Sequence, residues 1–380
     1  MTEQHVSKIG RNIPLSQPEL APEDVQAVLS VLAGTQLALG PQITAFERAI
    51  ADYVGTPYAV AVNSGTSALH LIVRALGISA GDEVITTPFS FIASTNCILM
   101  EGAVPVFVDI DPQTLCIDPD LVEAAITPRT VAILAVDAFG HPAAWDQLER
   151  IAQRRGLALI EDSAESLGSR FDDKPCGSFG RAAIFGFYPN KQITTGEGGM
   201  ITTNDNDLAE CCRSMANQGR GDARWLSHVR LGYNYRLDEM SAALGASQMK
   251  RIETIVAART KVAEAYLEAM AHWDDVILPR VAENVRMSWF VFVVRLADRF
   301  SREDRDRILA RLQSEGIGCR DYFQPIHLQP FIRQQLGTAR GDFPVTEAMG
   351  DRAIALPFFP QMTGEQVLQV VEALSGAISC

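Results

Sequence analysis

Between residues 58 and 203, short apolar runs alternate with helix-spaced ones, and this alternation admits few folds. The strand-like runs fall at 58–62, 83–87, 104–108, 131–136, 157–160, 182–187 and 199–202. Helical spacing fills 66–77, 91–101, 119–126 and 145–155. A strand apolar along its whole length is buried on both faces, and parallel strands need crossover helices to join them. The pattern predicts an α/β fold whose mainly parallel, seven-stranded sheet is covered on both sides. Helical periodicity also marks 23–33 and 42–54 before the sheet and 237–270 after it. An apolar strand at 288–296 and helices at 302–315 and 363–375 predict a smaller α+β unit. On this reading 1–245 is the large domain, N-terminal helices included, and 246–380 the small one. Residues 318–344, rich in Gly, Pro, Gln and aromatics, read as a long irregular loop, a kind of segment that often carries function.

Composition bounds the partners. A chain of 380 residues can bury a core large enough for two domains, and 47 % hydrophobic with 21 % charged residues suits a soluble globular protein. The net charge is −13 and no basic block occurs, so no nucleic-acid partner is expected. No apolar run reaches 18 residues, and the opening MTEQHVSKIGRNIPL lacks the apolar stretch of a secretory signal. No membrane association is expected. The seven cysteines are scattered without C-x-x-C or metal-ligand spacing. Free thiols, no metal and a reducing cytoplasm are the expectation.

Three segments carry candidate chemistry. In FGFYPNKQITTGEGG, 185–199, Lys191 lies between an aromatic-rich strand end and a glycine-rich turn. Such a frame can bury and aim an amine, which favours its neutral, nucleophilic form and suits Schiff-base formation. The other lysines, at 8, 174, 250 and 261, have no comparable surroundings. In LALIEDSAESLG, 157–168, an apolar strand ends on Asp162. Ligands of open α/β sheets gather at the carboxyl ends of strands, and a buried carboxylate there needs a cationic partner. The protonated ring nitrogen of pyridoxal phosphate is one; a helix N-cap role for Asp162 is the plainer alternative. In AVAVNSGTSALHLIVRAL, 59–76, a strand turns through Gly65 and Thr66 into a helix whose free N–H groups can cradle a phosphate.

Taken in this order, NSGTSAL, EDSAESLG and FYPNKQITTGEGG, with TTPFSFIAST, VPVFVDID, LGYNYRLDEMSAALG and PIHLQPF, resemble the sugar aminotransferases of the DegT/DnrJ/StrS type. The resemblance covers nearly the whole chain. It implies the aspartate-aminotransferase fold (fold type I), pyridoxal 5'-phosphate (PLP) as cofactor and its pyridoxamine form as intermediate. Lys191 would bond covalently to the cofactor and Asp162 pair with the ring nitrogen. Phe91 would stack on the ring, Gly65 and Thr66 hold the phosphate, and Glu165 approach the phenolic oxygen. Asn234 would reach the phosphate bound by a second copy, in a homodimer with shared sites. His327 and Arg236 are substrate-binding candidates. An amino-acid donor, L-glutamate, and a keto-sugar, 3- or 4-keto and nucleotide-linked, are the implied substrates.

Two positions depart from the pattern. Gly186 stands where many relatives have a serine that binds phosphate. Glu165 stands where many have glutamine or histidine; facing an oxyanion it must be protonated or turned away. Some nucleotide-sugar 4-aminotransferases of the family are acidic there. Alternatives stay open: a dehydratase or an aromatic-forming synthase with the same cofactor, or a non-catalytic cofactor-binding regulator. Sugar dehydratases of the family replace the lysine with histidine, so Lys191 speaks against that branch. His141, in a Gly-His-Pro turn, and Asp109 and Asp111, in a strand-end DIDP turn, need no ligand to explain them.

Overall fold

The computed structural model describes residues 12–221 and 226–379; most of the opening segment, with Lys8, and Cys380 lie outside them. Helices α1 (Pro22–Leu32) and α2 (Pro41–Val54) precede strand β1 (Tyr58–Val62) and helix α3 (Gly65–Ala75). Then come β2 (Glu83–Thr86), α4 (Ala93–Met100), β3 (Val104–Phe107), α5 (Pro119–Ala125), β4 (Thr130–Val136), α6 (Trp145–Arg155) and β5 (Ala158–Asp162). A short ribbon of β6 (Arg170–Phe171) and β7 (Lys174–Pro175) leads to β8 (Ala182–Gly186), β9 (Gly199–Thr203) and α7 (Asn206–Ala216).

Seven of these strands form one sheet in the order β1-β9-β8-β5-β4-β2-β3. Strands β2, β3, β4, β5 and β8 are mutually parallel, and β9 alone runs antiparallel, between β1 and β8. The sheet is mainly parallel, as the alternation predicts, and it separates two cores. Along β4, Ala132, Leu134 and Val136 pack with α3, α4 and α7, while Ile133 and Ala135 pack with α6 and Trp145. Both faces are apolar because both are covered.

The predicted helix over 237–270 is two helices, α8 (Glu239–Met249) and α9 (Ile252–Ala269). The break is at Arg251, whose guanidinium bonds Glu19 at 2.8 Å and the buried Asp24 of α1 at 2.7 Å. These tertiary ion pairs override a helical periodicity that continues across the break. The proposed domain boundary at 245 falls inside α8. Helix α9 belongs to both halves: Ile252, Ile255 and Val256 pack with α2 and α8, whereas Val262, Ala263 and Tyr266 enter the C-terminal core.

That second core surrounds a three-stranded sheet of β10 (Val276–Ile277), β12 (Phe292–Leu296) and β13 (Ala353–Leu356), with α10 (Arg302–Ser314) and α13 (Gly364–Ile378); β11 (Val285–Arg286) pairs instead with β6. Ile13, from the chain's start, bridges to Ile317 and packs here too. Two readings need correction. The strand expected from 288 starts at Phe292, because Ser288 bonds Ser169 and Trp289 takes a left-handed φ of 55°. The stretch 318–344 contains α11 (Pro330–Leu336), and α12 (Pro344–Arg352) follows it. Pro330 at the helix start and Gly337 (φ 74°) at its end are helix punctuation rather than loop filler.

Candidate active site

A cavity of about 520 Å³ opens at the carboxyl ends of the parallel strands. Seven residues singled out in the sequence border it: Gly65, Thr66, Phe91, Asp162, Glu165, Gly186 and Lys191. They come from four separate segments, and the sheet order brings these together.

Helix α3 contributes its N-terminus. Ser64 caps it: the side chain accepts the N–H of Ser67 and the carbonyl that of Ala68. Among the described residues no acceptor meets the N–H groups of Gly65 and Thr66, which sit at the positive end of the helix dipole. Strand β9 runs against this helix start so closely that a Cβ on Gly199 would stand 2.4 Å from the Ser64 carbonyl oxygen. Glycine is required there for close approach, not for its dihedral freedom. Gly186 also borders the cavity, but a Cβ on it would meet the Ala164 Cβ at an ordinary 3.6 Å. Its lost hydroxyl is therefore not forced by crowding.

Asp162 ends β5 and is buried. Its Oδ1 accepts the Ala164 N–H at 3.2 Å, so the capping geometry exists, but no helix follows it. Burial pushes its carboxyl up to about 7; Glu165 adds to the rise and Lys191 opposes it. Glu165 is not turned away. Its Oε2 accepts the Phe139 N–H at 2.9 Å and its Oε1 lies 3.4 Å from Lys191 Nζ. Burial raises the Glu165 carboxyl and the lysine opposes this.

Lys191 lies in the turn after β8, its N–H bonded to the Tyr188 carbonyl. Its ammonium lies 3.9 Å from the centroid of the Phe290 ring. The neighbouring Gln192 donates to the Glu165 carbonyl at 2.6 Å and to Ser288 Oγ at 2.8 Å, joining the lysine turn to the glutamate turn. Phe290, Tyr322 and Phe323 close the cavity from the C-terminal half. No local sequence pattern marks these three: their place depends on contacts with residues far away in the chain.

Three expected residues do not border the cavity. Asn234 is exposed, its backbone bridging to Asn217. Arg236 Nη1 donates to Asn217 Oδ1 at 3.0 Å. His327 is fully buried, its Nε2 2.9 Å from Glu347 Oε1 and its ring edge-on to Phe343. Within one chain that substrate-binding candidate is enclosed under α11 and α12 and hydrogen-bonded to Glu347.

One group of potential metal ligands occurs among the described residues: Asp137, Glu161 and Cys176. Their lone pairs are already engaged. Asp137 accepts from Ala143, Trp145 Nε1, Ser163 and Ser166, and Glu161 from the N–H groups of Gly177 and Phe179. The group anchors the turn that carries Asp162 and Glu165.

A model of the DegT/DnrJ/EryC1/StrS aminotransferase family matches residues 18–375. The chain belongs to that family. It is a PLP-dependent sugar aminotransferase with the fold of those enzymes. GDP-perosamine synthase of Caulobacter vibrioides is 39 % identical over 364 residues, covering 95 % of this chain and 97 % of that protein. The crystal structure of DesV from S. venezuelae superposes with a TM-score of 0.90 at 35 % identity, over 96 % of this chain and 98 % of that one. A structure of Spr1654 from Streptococcus pneumoniae in its PLP form gives a TM-score of 0.92 at 27 % identity, over 97 % and 99 %.

The aminotransferase's cavity fits the cofactor on chemical grounds. The two N–H groups without acceptors at the start of α3 suit a phosphate. The buried Asp162 needs a cation, and a pyridinium supplies one. The amine of Lys191 faces the same space, and the exposed ring of Phe91 borders it.

Proposed function

We propose that this aminotransferase moves an amino group from L-glutamate to a 3- or 4-keto-6-deoxysugar carried on a nucleotide, in amino-sugar biosynthesis. The observation that carries the reading is the meeting of Lys191, Asp162 and the start of α3 around one cavity. Bound PLP supplies a carbonyl carbon to receive the amino group and a ring to accept the electron pair left by a departing proton. Lys191 is the covalent anchor; once released, its Nζ takes the proton from the donor's α-carbon and returns it elsewhere. Asp162 holds the proton on the ring nitrogen. Gly65 and Thr66 bind the phosphate through backbone N–H groups, and Phe91 covers a ring face. Glu165 keeps a carboxyl beside Lys191, which we assign to the phenolic-oxygen side in its protonated form. A free enzyme that alternates between carbonyl and amine forms gives ping-pong kinetics.

The nucleotide-linked substrate is supported by the acidic residue at 165 and by the likeness to the GDP-perosamine synthase of C. vibrioides. Among the described residues bordering the cavity, Lys191 is the one cation. A glutamate carboxylate and a nucleotide phosphate both need more positive charge than that. This supports a homodimer in which a second copy completes the site, with Asn234 reaching the partner's cofactor phosphate. No helix among the described residues is long and apolar enough to cross a membrane. We place the reaction in the cytoplasm, which suits the six free cysteines among the described residues.

The test is transamination by the PLP-loaded enzyme, with glutamate against a panel of 3-keto and 4-keto nucleotide sugars, followed by mass spectrometry. One aminated nucleotide sugar is expected, together with 2-oxoglutarate. Borohydride treatment should fix the cofactor to Lys191; an adduct on Lys174 or Lys250, or no product from any keto-sugar, rejects the reading.

A further inference from the structure

Arg259 of α9 is a buried guanidinium without a carboxylate partner among the described residues. It is 3 % exposed, and four backbone carbonyls take its hydrogen bonds. Nη2 donates to Lys191 O at 2.8 Å and to Asn190 O at 3.4 Å. Nη1 donates to Phe290 O at 3.1 Å and to Trp289 O at 3.3 Å. Burying a charge that hydrogen-bonds only neutral carbonyls is costly, and the Phe358 ring 5.7 Å away and the more distant Glu19 offset only part of that cost.

The four carbonyls belong to two segments that are far apart in the chain and meet beside the cavity. One carries Lys191. The other carries Phe290, whose ring lies 3.9 Å from the lysine's ammonium. The second segment is itself under tension: Trp289 sits at φ 55°, in the left-handed region that a bulky residue avoids. Two carbonyls of that strained turn and two of the lysine turn are thus held by one rigid, planar fork. A lysine at 259 has a single point charge and cannot span both pairs.

We propose that Arg259 is a positioning residue: it fixes Lys191 against the Phe290 ring, and so sets where the reactive amine stands. Through α9, which packs in both cores, the C-terminal half thereby holds the lysine of the large sheet. The inference rests on Lys191 being the covalent anchor. Borohydride fixation in the unmodified enzyme tests that reading alone, so the two can fail separately.

The experiment uses PLP-loaded Arg259→Lys and Arg259→Met, each assayed well below its own melting temperature. Two readouts are taken: the pH midpoint of the visible absorbance of the lysine–cofactor bond, and the kinetic constants with glutamate. A displaced midpoint is expected, with kcat lowered by about tenfold or more and KM changed by less than about threefold. Variants that melt earlier but keep the wild-type midpoint and kcat overturn the proposal and leave Arg259 a packing group. If neither variant folds, Phe290→Leu decides, because it removes the ring and leaves the carbonyl contacts in place. A wild-type midpoint in that variant overturns the proposal, and a displaced one supports it.

Discussion

Lys191 Nζ stands 3.4 Å from Glu165 Oε1, so one ammonium faces a buried carboxyl across the floor of the cavity. Asp162 is buried three residues before Glu165, which adds to the rise of the Asp162 carboxyl, while burial raises Glu165 itself. Two acids therefore compete for one cation until a second cation arrives.

This has a pH signature in the cofactor-free protein. The Asp162 carboxyl moves from 3.8 to about 7, above its value in the unfolded chain. The folded state then keeps a proton that the unfolded state releases. Stability from this group is full below the unfolded value and is lost as pH rises through about 7, at up to about 1.4 kcal/mol per pH unit. Glu165 shifts in the same direction. The melting temperature of the apo-protein should fall over this window. Asp162→Asn should flatten the fall, and PLP should oppose it. An apo melting curve level across the window, or equally steep in Asp162→Asn, contradicts the assignment.

Asp162→Asn also separates charge from shape. The variant should still bind PLP, while its half-reaction with glutamate slows by about two orders of magnitude or more, about 3 kcal/mol in barrier. Stopped-flow absorbance measures this directly. A near-normal rate would reduce Asp162 to a turn residue.

Gly186→Ser asks whether the family's missing hydroxyl can be restored. The 3.6 Å spacing to Ala164 leaves room for the side chain. The variant should fold normally and bind PLP about fivefold more tightly, the worth of one added hydrogen bond near 1 kcal/mol. Unchanged or weaker affinity in a fluorescence titration would put the phosphate elsewhere.

Shared sites are tested by mixing. Asn234→Ala should loosen PLP without unfolding the chain. Subunit exchange with inactive Lys191→Ala protein should restore activity in heterodimers that hold one intact site. Exchange without recovery, or an active wild-type monomer in sedimentation, excludes a shared site.

Much of the sheet was readable because each strand is short, apolar and bounded by its own turn. The residues that border the cavity from β5, β8 and the start of α3 were readable for a related reason: each closes a local strand-to-turn pattern. The break at Arg251 was hidden, since its ion partners lie far away in the chain, Glu19 just before α1 and Asp24 in its first turn. Phe290 and Arg259 were hidden too. One looked like a strand residue, the other like one charge among many in a long helix, and only the packed molecule sets them beside Lys191. The burial of His327 was hidden because its neighbours suggest an irregular loop; α11 and α12 supply the cover and the Glu347 carboxylate.

Strand β9 has a consequence for anyone recasting the enzyme's substrate range. Tyr188 and Tyr322 rim the cavity and can be randomised with limited risk to the rest of the molecule. Gly199 cannot, although it meets no ligand. Any side chain there would push against the Ser64 carbonyl and lift the start of α3. A library that treats it as a spare surface position would discard the anion cradle along with the shape.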